Sequence, residues 1–159
     1  MKLKKVINLY KNKFMEHALK QAEFAIEENE VPVGAAIVPN DGVISTNYNR
    51  MRSEHDPTAH AEILCIREAT KKLQRANLSD CDIYITLEPC AMCAQAIAFS
   101  KIKRVYFGAY DEKFGAIENG VRLFNSKTHN HMPEIYGGIE QQKATRLMKS
   151  FFTKIRKKV

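Results

Sequence analysis

His60-Ala61-Glu62 and Pro89-Cys90-Ala91-Met92-Cys93 are separated by 30 residues, counted from His60 to Cys90, and one compact apolar run, Ile83-Tyr84-Ile85-Thr86-Leu87, lies between them. No other feature constrains the chain as strongly. The interval is long enough for a helix, a strand and a return. Asp56 is placed to cap a helix whose first position is Pro57 and which runs to about Leu73. Pro89 opens a second, shorter helix through Phe99. Both groups of polar residues therefore stand where helices are predicted to begin.

The rest of the chain supplies further layers. From about Lys13 to Glu28, residues Phe14, Met15, Ala18, Leu19, Ala22, Ala25 and Ile26 recur at helical spacing, and Asn29 is a natural stop. Val33 to Val38 reads as a buried strand, Pro39-Asn40-Asp41-Gly42 as a turn, and Val43 to Tyr48 as its hairpin partner. Val105-Tyr106-Phe107 is another strand, ended by Gly108. Residues 110–133 carry no firm pattern, and Ile135 to Ile139 is broken by Gly137-Gly138. From Gln141 to the end, Ala144, Leu147, Met148, Phe151, Phe152 and Ile155 form one apolar helical stripe. Strands alternating with helices imply an α/β layer fold with helices on both sheet faces, the first two strands antiparallel and the later ones parallel. At 159 residues the chain suits a single domain, with its core over about 14–152 and a basic helix end over 153–159.

One imidazole and two thiols make the donor set of a catalytic zinc site, three protein ligands with a fourth position open. His55 lies at no convincing spacing for a fourth ligand. Cys90 and Cys93, three apart, share a face of the first helical turn, where the helix terminus lowers thiol pKa and so favours the thiolates that metal binding needs. Glu62 is predicted to be a proton carrier, because two thiolates neutralise the ion's charge and leave its water less acidic unless a carboxylate assists. On a regular helix His60 and Glu62 would point about 200° apart, so their convergence needs Glu62 to reach across the helix mouth. Taken alone, a CxxC followed by a helix also fits a redox site. Cys65 and Cys81 read as buried free thiols, since a reducing cytosol argues against disulfides.

Composition is ordinary for a globular protein, with 45% hydrophobic and 27% charged residues. No apolar run approaches a membrane span, and the lysines at positions 2, 4 and 5 are not followed by the apolar segment of a secretory signal. The expected compartment is the cytoplasm. A formal net charge of +7 favours an anionic partner. Lys154, Arg156, Lys157 and Lys158 could contact such a partner or simply complement a helix C-terminus.

The HAE and PCAMC motifs resemble those of the zinc-dependent cytidine/deoxycytidylate deaminase superfamily. Glu30-Val31-Pro32-Val33-Gly34-Ala35, Asn49-Arg50, Asp56 to Glu62, Thr86-Leu87-Glu88-Pro89-Cys90 and Phe107-Gly108-Ala109-Tyr110-Asp111 are similar to its tRNA-acting branch, the bacterial tRNA-specific adenosine deaminases. That resemblance spans about Phe14 to Phe152. It implies a three-layer α/β/α cytidine-deaminase-like fold with a five-stranded mixed sheet in order 2-1-3-4-5. It implies one zinc ion per subunit on His60, Cys90 and Cys93, with Glu62 shuttling protons. It further implies that Asn49 hydrogen-bonds the flipped base, that Val33 and Leu87 wall its pocket, and that Asp111 contacts the nucleotide backbone. The expected reaction is hydrolytic deamination of adenosine to inosine at the wobble position of a tRNA anticodon, by a homodimer, with no membrane partner. Gln95, Ile117 to Gly120 and Met132 depart from the family's pattern.

Two other functions compete. A deaminase of a free base or nucleoside, of guanine or cytosine type, would use the same metal set; VPVGA, FGAxD and the basic tail favour RNA over it. A catalytically dead RNA-binding protein that keeps zinc for structure would be marked by a lost glutamate, and Glu62 is present.

Overall fold

The computed structural model describes the backbone of residues 2–40 and 42–157, and side chains from residue 12 onward apart from residue 41. Asp41 and Lys158 lie outside the described residues, as do the side chains of Lys2, Lys4 and Lys5. The elements in order are α1 (Lys2–Glu27), β1 (Gly34–Pro39), β2 (Ser45–Tyr48), α2 (Ala61–Leu73), β3 (Cys81–Leu87), α3 (Ala91–Phe99), β4 (Arg104–Ala109), a 3-10 turn (Leu123–Asn125), β5 (Glu134–Tyr136) and α4 (Gln141–Arg156). Among the described residues no helix is long and apolar enough to cross a membrane.

Several boundaries differ from the sequence expectation, among them those of α2, β4 and α1. Helix α2 starts at Ala61, not Pro57. The Asp56 carboxylate accepts from both the Thr58 backbone N–H (2.8 Å) and its hydroxyl (2.7 Å); it closes a tight turn and does not cap the helix. Strand β4 runs through Gly108. A Cβ there would stand 2.7 Å from the Thr86 carbonyl oxygen and 2.9 Å from Ala144 Cβ, so this glycine marks a close approach of sheet and helix, not a strand end. Helix α1 begins well before Lys13, at Lys2. Its predicted end is sound: Asn29 adopts φ 57°, and the Glu30 N–H returns to the Ala25 carbonyl at 2.8 Å.

The sheet has the expected order β2-β1-β3-β4-β5. β1 is antiparallel to both β2 and β3, while β3–β4 and β4–β5 are parallel. β2 and β3 therefore run the same way, as a helical crossover through α2 requires. Side chains alternate cleanly between two cores. Ala35, Ile37, Ile83, Ile85, Val105 and Phe107 pack with Ala61, Cys65 and Ala69 of α2 and with Ala94, Ile97 and Ala98 of α3. On the other face Ala36, Val38, Tyr84 and Tyr106 pack with Phe14, Met15, Ala18 and Leu19 of α1 and Ala144 of α4. Tyr84, Tyr106 and Tyr136 share one register across three strands and stack, with centroids 4.5 and 4.9 Å apart.

This topology gathers the functional candidates. The carboxyl ends of β2, β3 and β4 and the amino end of β1 all fall at one end of the sheet, because Gly34 pairs with Tyr48 and Leu87 with Ala109. Val33 precedes β1, Asn49 follows β2, Cys90 follows β3 and Asp111 follows β4. The crevice outside strand carboxyl ends is where open α/β sheets place their ligands.

Candidate metal centre and active site

His60 and Cys90 occupy equivalent positions, each the N-cap of its helix in an extended conformation (φ −76°, ψ 150° and φ −73°, ψ 173°). Since His60 is not itself helical, the 200° separation from Glu62 expected of a regular helix does not arise, and both side chains reach the same region. His60 Nδ1 lies 3.7 Å from Cys90 Sγ and 3.5 Å from Cys93 Sγ. All three donor atoms fall within 4.8 Å of one another. Zinc bonds of about 2.3 Å to sulfur and about 2.0 Å to nitrogen at a tetrahedral angle separate S from N by roughly 3.5 Å. The two nitrogen–sulfur separations therefore match those of a zinc site. His55 belongs to no such group among the described residues.

The metal-free electrostatics agree with the donor chemistry. Cys90 is pulled down to about 4, chiefly because it accepts from the Cys93 thiol, with His60 adding to the effect against the opposing cost of burial. Cys93 is correspondingly pushed up. His60 is raised, first by its hydrogen bond to Cys90. Glu62, only 3% exposed, is pushed up to about 7 by burial, and its Oε2 has no hydrogen-bond partner among the described residues. A buried carboxylate with one oxygen left unsatisfied beside a metal-ligand set costs stability, so its placement points to function.

Two further buried carboxylates hold the segments that lead to and from this centre, and no role for either follows from the sequence alone. Glu30 (1% exposed) accepts from the backbone N–H groups of Arg52 and Ser53 at 2.9 and 2.8 Å. It anchors the segment that links Asn49 to His60. Glu88 accepts from five donors in the segment after β4. The only available signal was an acidic residue at the end of an apolar strand.

The substrate-side candidates fall into two pairs. The Asn49 N–H donates to the Val33 carbonyl at 3.0 Å, and both residues are buried. Leu87 and Asp111 line a groove of about 590 Å³ together with Tyr110, Phe114, Lys149 and Phe152. Among the described residues no hydrogen bond joins one pair to the other. Phe151 is buried in the core while Phe152 is 40% exposed at this groove. Of the tail cations, Lys154 lines a separate groove with Arg52. The atypical Met132 is exposed, but Asn130 and His131 beside it are tied to the turn before β4: the Asn130 carbonyl accepts from Lys101, and His131 Nε2 lies 2.7 Å from the Ile102 carbonyl. Cys65 and Cys81 are buried free thiols, as expected.

Comparison with known proteins agrees with this geometry. The cytidine and deoxycytidylate deaminase zinc-binding region matches residues 10–109. The chain belongs to this family of zinc-dependent deaminases. Within it, the chain falls among the tRNA-specific adenosine deaminases. It is 54% identical to the one from Rickettsia bellii (strain RML369-C) over 144 residues, which are 89% of this chain and 99% of the relative. It is 38% identical to that of Bacillus subtilis (strain 168), over 91% of this chain and 90% of the relative. A solved structure from work on A-to-I editing by tRNA:A34 deaminases at the wobble position superimposes with a TM-score of 0.84 at 47% identity, covering 85% of this chain and 98% of that one. Guanine deaminase from Nitrosomonas europaea shares the fold, with a TM-score of 0.76 at 22% identity.

Proposed function

We propose that the whole chain forms a single deaminase domain that hydrolyses adenosine to inosine at the wobble position of a tRNA anticodon, releasing ammonia. The observation that carries the reading is the convergence of His60 Nδ1, Cys90 Sγ and Cys93 Sγ beside the buried Glu62 carboxylate, whose Oε2 has no hydrogen-bond partner among the described residues. The identity to tRNA-specific adenosine deaminases supports tRNA as the substrate class and the anticodon loop as the element that enters the site. A homodimer in the cytoplasm is the assembly and setting in which this reading places it.

Zinc held by His60, Cys90 and Cys93 would supply Lewis acidity that makes water nucleophilic near neutral pH. The protein's own groups do the rest. Glu62 accepts one proton from the attacking water and delivers it to the purine ring nitrogen, then carries the second proton, from the added hydroxyl, to the amino group, which departs as ammonia. Without metal, burial holds this carboxyl well above the usual carboxylate range, toward values at which a group both gives and takes a proton. Asn49, buried and tied through its backbone N–H to Val33, hydrogen-bonds the base; Val33 and Leu87 give the pocket apolar walls. Asp111 holds the nucleotide backbone beside the target. An anticodon base is already outside a duplex, so presenting it costs less than extruding a paired one.

Ammonia release from an anticodon stem-loop, compared with release from free adenosine, guanine and cytosine, tests the proposal. Turnover of the stem-loop with inosine at the wobble position is the expected result. Rapid turnover of a free base with none of the RNA would overturn it.

A further inference from the structure

Glu88 directly follows β3, the strand that delivers Cys90 to the metal centre, and the residue is 2% exposed. No cation neutralises it among the described residues; its hydrogen-bond donors are N–H groups of one segment. Oε1 accepts from the backbone N–H groups of Ile117 (3.2 Å), Glu118 (2.8 Å) and Asn119 (2.9 Å). Oε2 accepts from the backbone N–H of Asp111 (3.0 Å) and the side-chain amide of Asn119 (2.7 Å). The segment closes directly over the carboxyl group. A Cβ at Gly115 would stand 2.6 Å from Glu88 Cδ, a separation that side-chain carbons do not tolerate, so this backbone approach needs glycine. The same segment is stitched to the ligand loop: the Ala116 N–H donates to the Pro89 carbonyl at 2.9 Å, and Cys90 and Gly115 form an isolated β-bridge.

Residues 111–119 have no helix or strand of their own. Without the carboxylate, the N–H groups of Asp111, Ile117, Glu118 and Asn119 would lose their partners together. The geometry points to Glu88 as a positioning residue of the deamination site, one that fixes the segment bearing Asp111 in the same frame as the zinc ligand Cys90. This inference rests on the proposed tRNA reading and on the assignment of Asp111 to the nucleotide backbone. Glu88 touches neither metal nor substrate, and acts through the segment it holds.

An acceptor-only carboxylate cannot be replaced by its amide. In Glu88→Gln, one orientation of the new NH2 group faces the N–H groups of Ile117, Glu118 and Asn119, and the other faces those of Asp111 and the Asn119 side chain. Either way at least two donors are opposed by a donor. The zinc-loaded full chain carrying Glu88→Gln, Asp111→Ala or both is compared with the parent on an anticodon stem-loop. For Glu88→Gln, KM rises about tenfold or more while kcat changes by less than about threefold and zinc content stays at the parental level. In the Asp111→Ala background the same substitution adds less than about threefold, because the contact it would misplace is already gone. A purely structural role would lower the melting temperature and leave KM of the folded, zinc-loaded fraction unchanged; that result, or fully multiplicative effects, overturns the assignment. If Glu88→Gln yields no folded protein, Asn119→Ala, which deletes one donor, decides alone: a KM raised about threefold supports the assignment and a parental KM overturns it. A parent that does not deaminate the stem-loop overturns this inference and the functional reading together, whereas an active parent beside a Glu88→Gln variant of parental KM overturns this inference alone.

Discussion

Gly34, at the start of β1, packs so closely on Ala18 of α1 that a Cβ at Gly34 would stand 1.9 Å from the Ala18 carbonyl oxygen and 2.6 Å from the Ala22 nitrogen. Both obstacles are helix backbone, which cannot rotate aside as a side chain can. The Gly34 N–H also donates to the Thr86 hydroxyl at 3.1 Å, tying the front of β1 to β3 just before the ligand loop. Gly34→Ala must therefore push α1 off the sheet. The expected cost is about 2–3 kcal/mol of unfolding free energy, at the upper end for overpacking, read by denaturant titration. A variant as stable as the parent would show that α1 does not sit at this distance.

Removing the Glu62 carboxylate separates binding from chemistry. Glu62→Ala keeps all three metal donors, so zinc content should match the parent, and stem-loop affinity should change by less than about threefold. Turnover should fall by roughly 10²–10⁴-fold, the usual contribution of a positioned acid/base. Parental turnover in a zinc-loaded Glu62→Ala sample would remove the residue from the mechanism.

The same carboxyl gives the metal-free protein a pH signature. Burial raises Glu62 from 4.5 to about 7, so between those values the folded chain holds a proton that the unfolded chain has released. Its contribution to stability is present below pH 4.5 and is lost as pH rises through 7. Relative to Glu62→Gln, which has no such titration, the metal-free parent should lose about 3 kcal/mol across this window. Chemical denaturation of both at pH 4.5 and 8 measures it; a constant difference between them would contradict the buried placement.

Thiol labelling reports the metal centre directly. Stripped of metal, the protein should be alkylated at Cys90 at pH 6, where this thiol, pulled down to about 4, is ionised. Loading with zinc should abolish the reaction, since metal and reagent compete for the thiolate. Cys65 and Cys81, each pushed up to about 12 mainly by burial, should stay unmodified until the protein unfolds. Labelling at Cys65 before Cys90, followed by peptide mass spectrometry, would be the contrary result.

The layers of the fold and the metal trio were legible because each rests on local signals. Helical spacing marked α1 and α4, the Pro39-to-Gly42 turn marked the β1–β2 hairpin, and Pro89 marked the start of the ligand helix to within two residues. The start of α2 was misread because Asp56-Pro57-Thr58 has the composition of a helix cap, and only the structure shows that the Asp56 carboxylate is engaged by Thr58. β5 is three residues long, too short for its pattern to stand out beside Gly137-Gly138. The roles of Glu88 and Glu30 are not legible in the sequence, although both residues stand in its motifs. Their partners are mostly backbone N–H groups 22 to 31 positions away, and a backbone donor leaves no trace in residue identity.

His60 and Cys90 hold the positions where helices usually place serine, threonine, aspartate or asparagine, yet neither side chain makes the usual cap hydrogen bond. Both helix starts thus forgo a stabilisation of about 1 kcal/mol. His60→Asp and Cys90→Ser would offer the missing acceptor to the freed amides while dismantling the donor trio. Selection for durability alone would drift toward those residues and leave a sturdier, inert protein; the weakness of these two helix ends records which pressure prevailed.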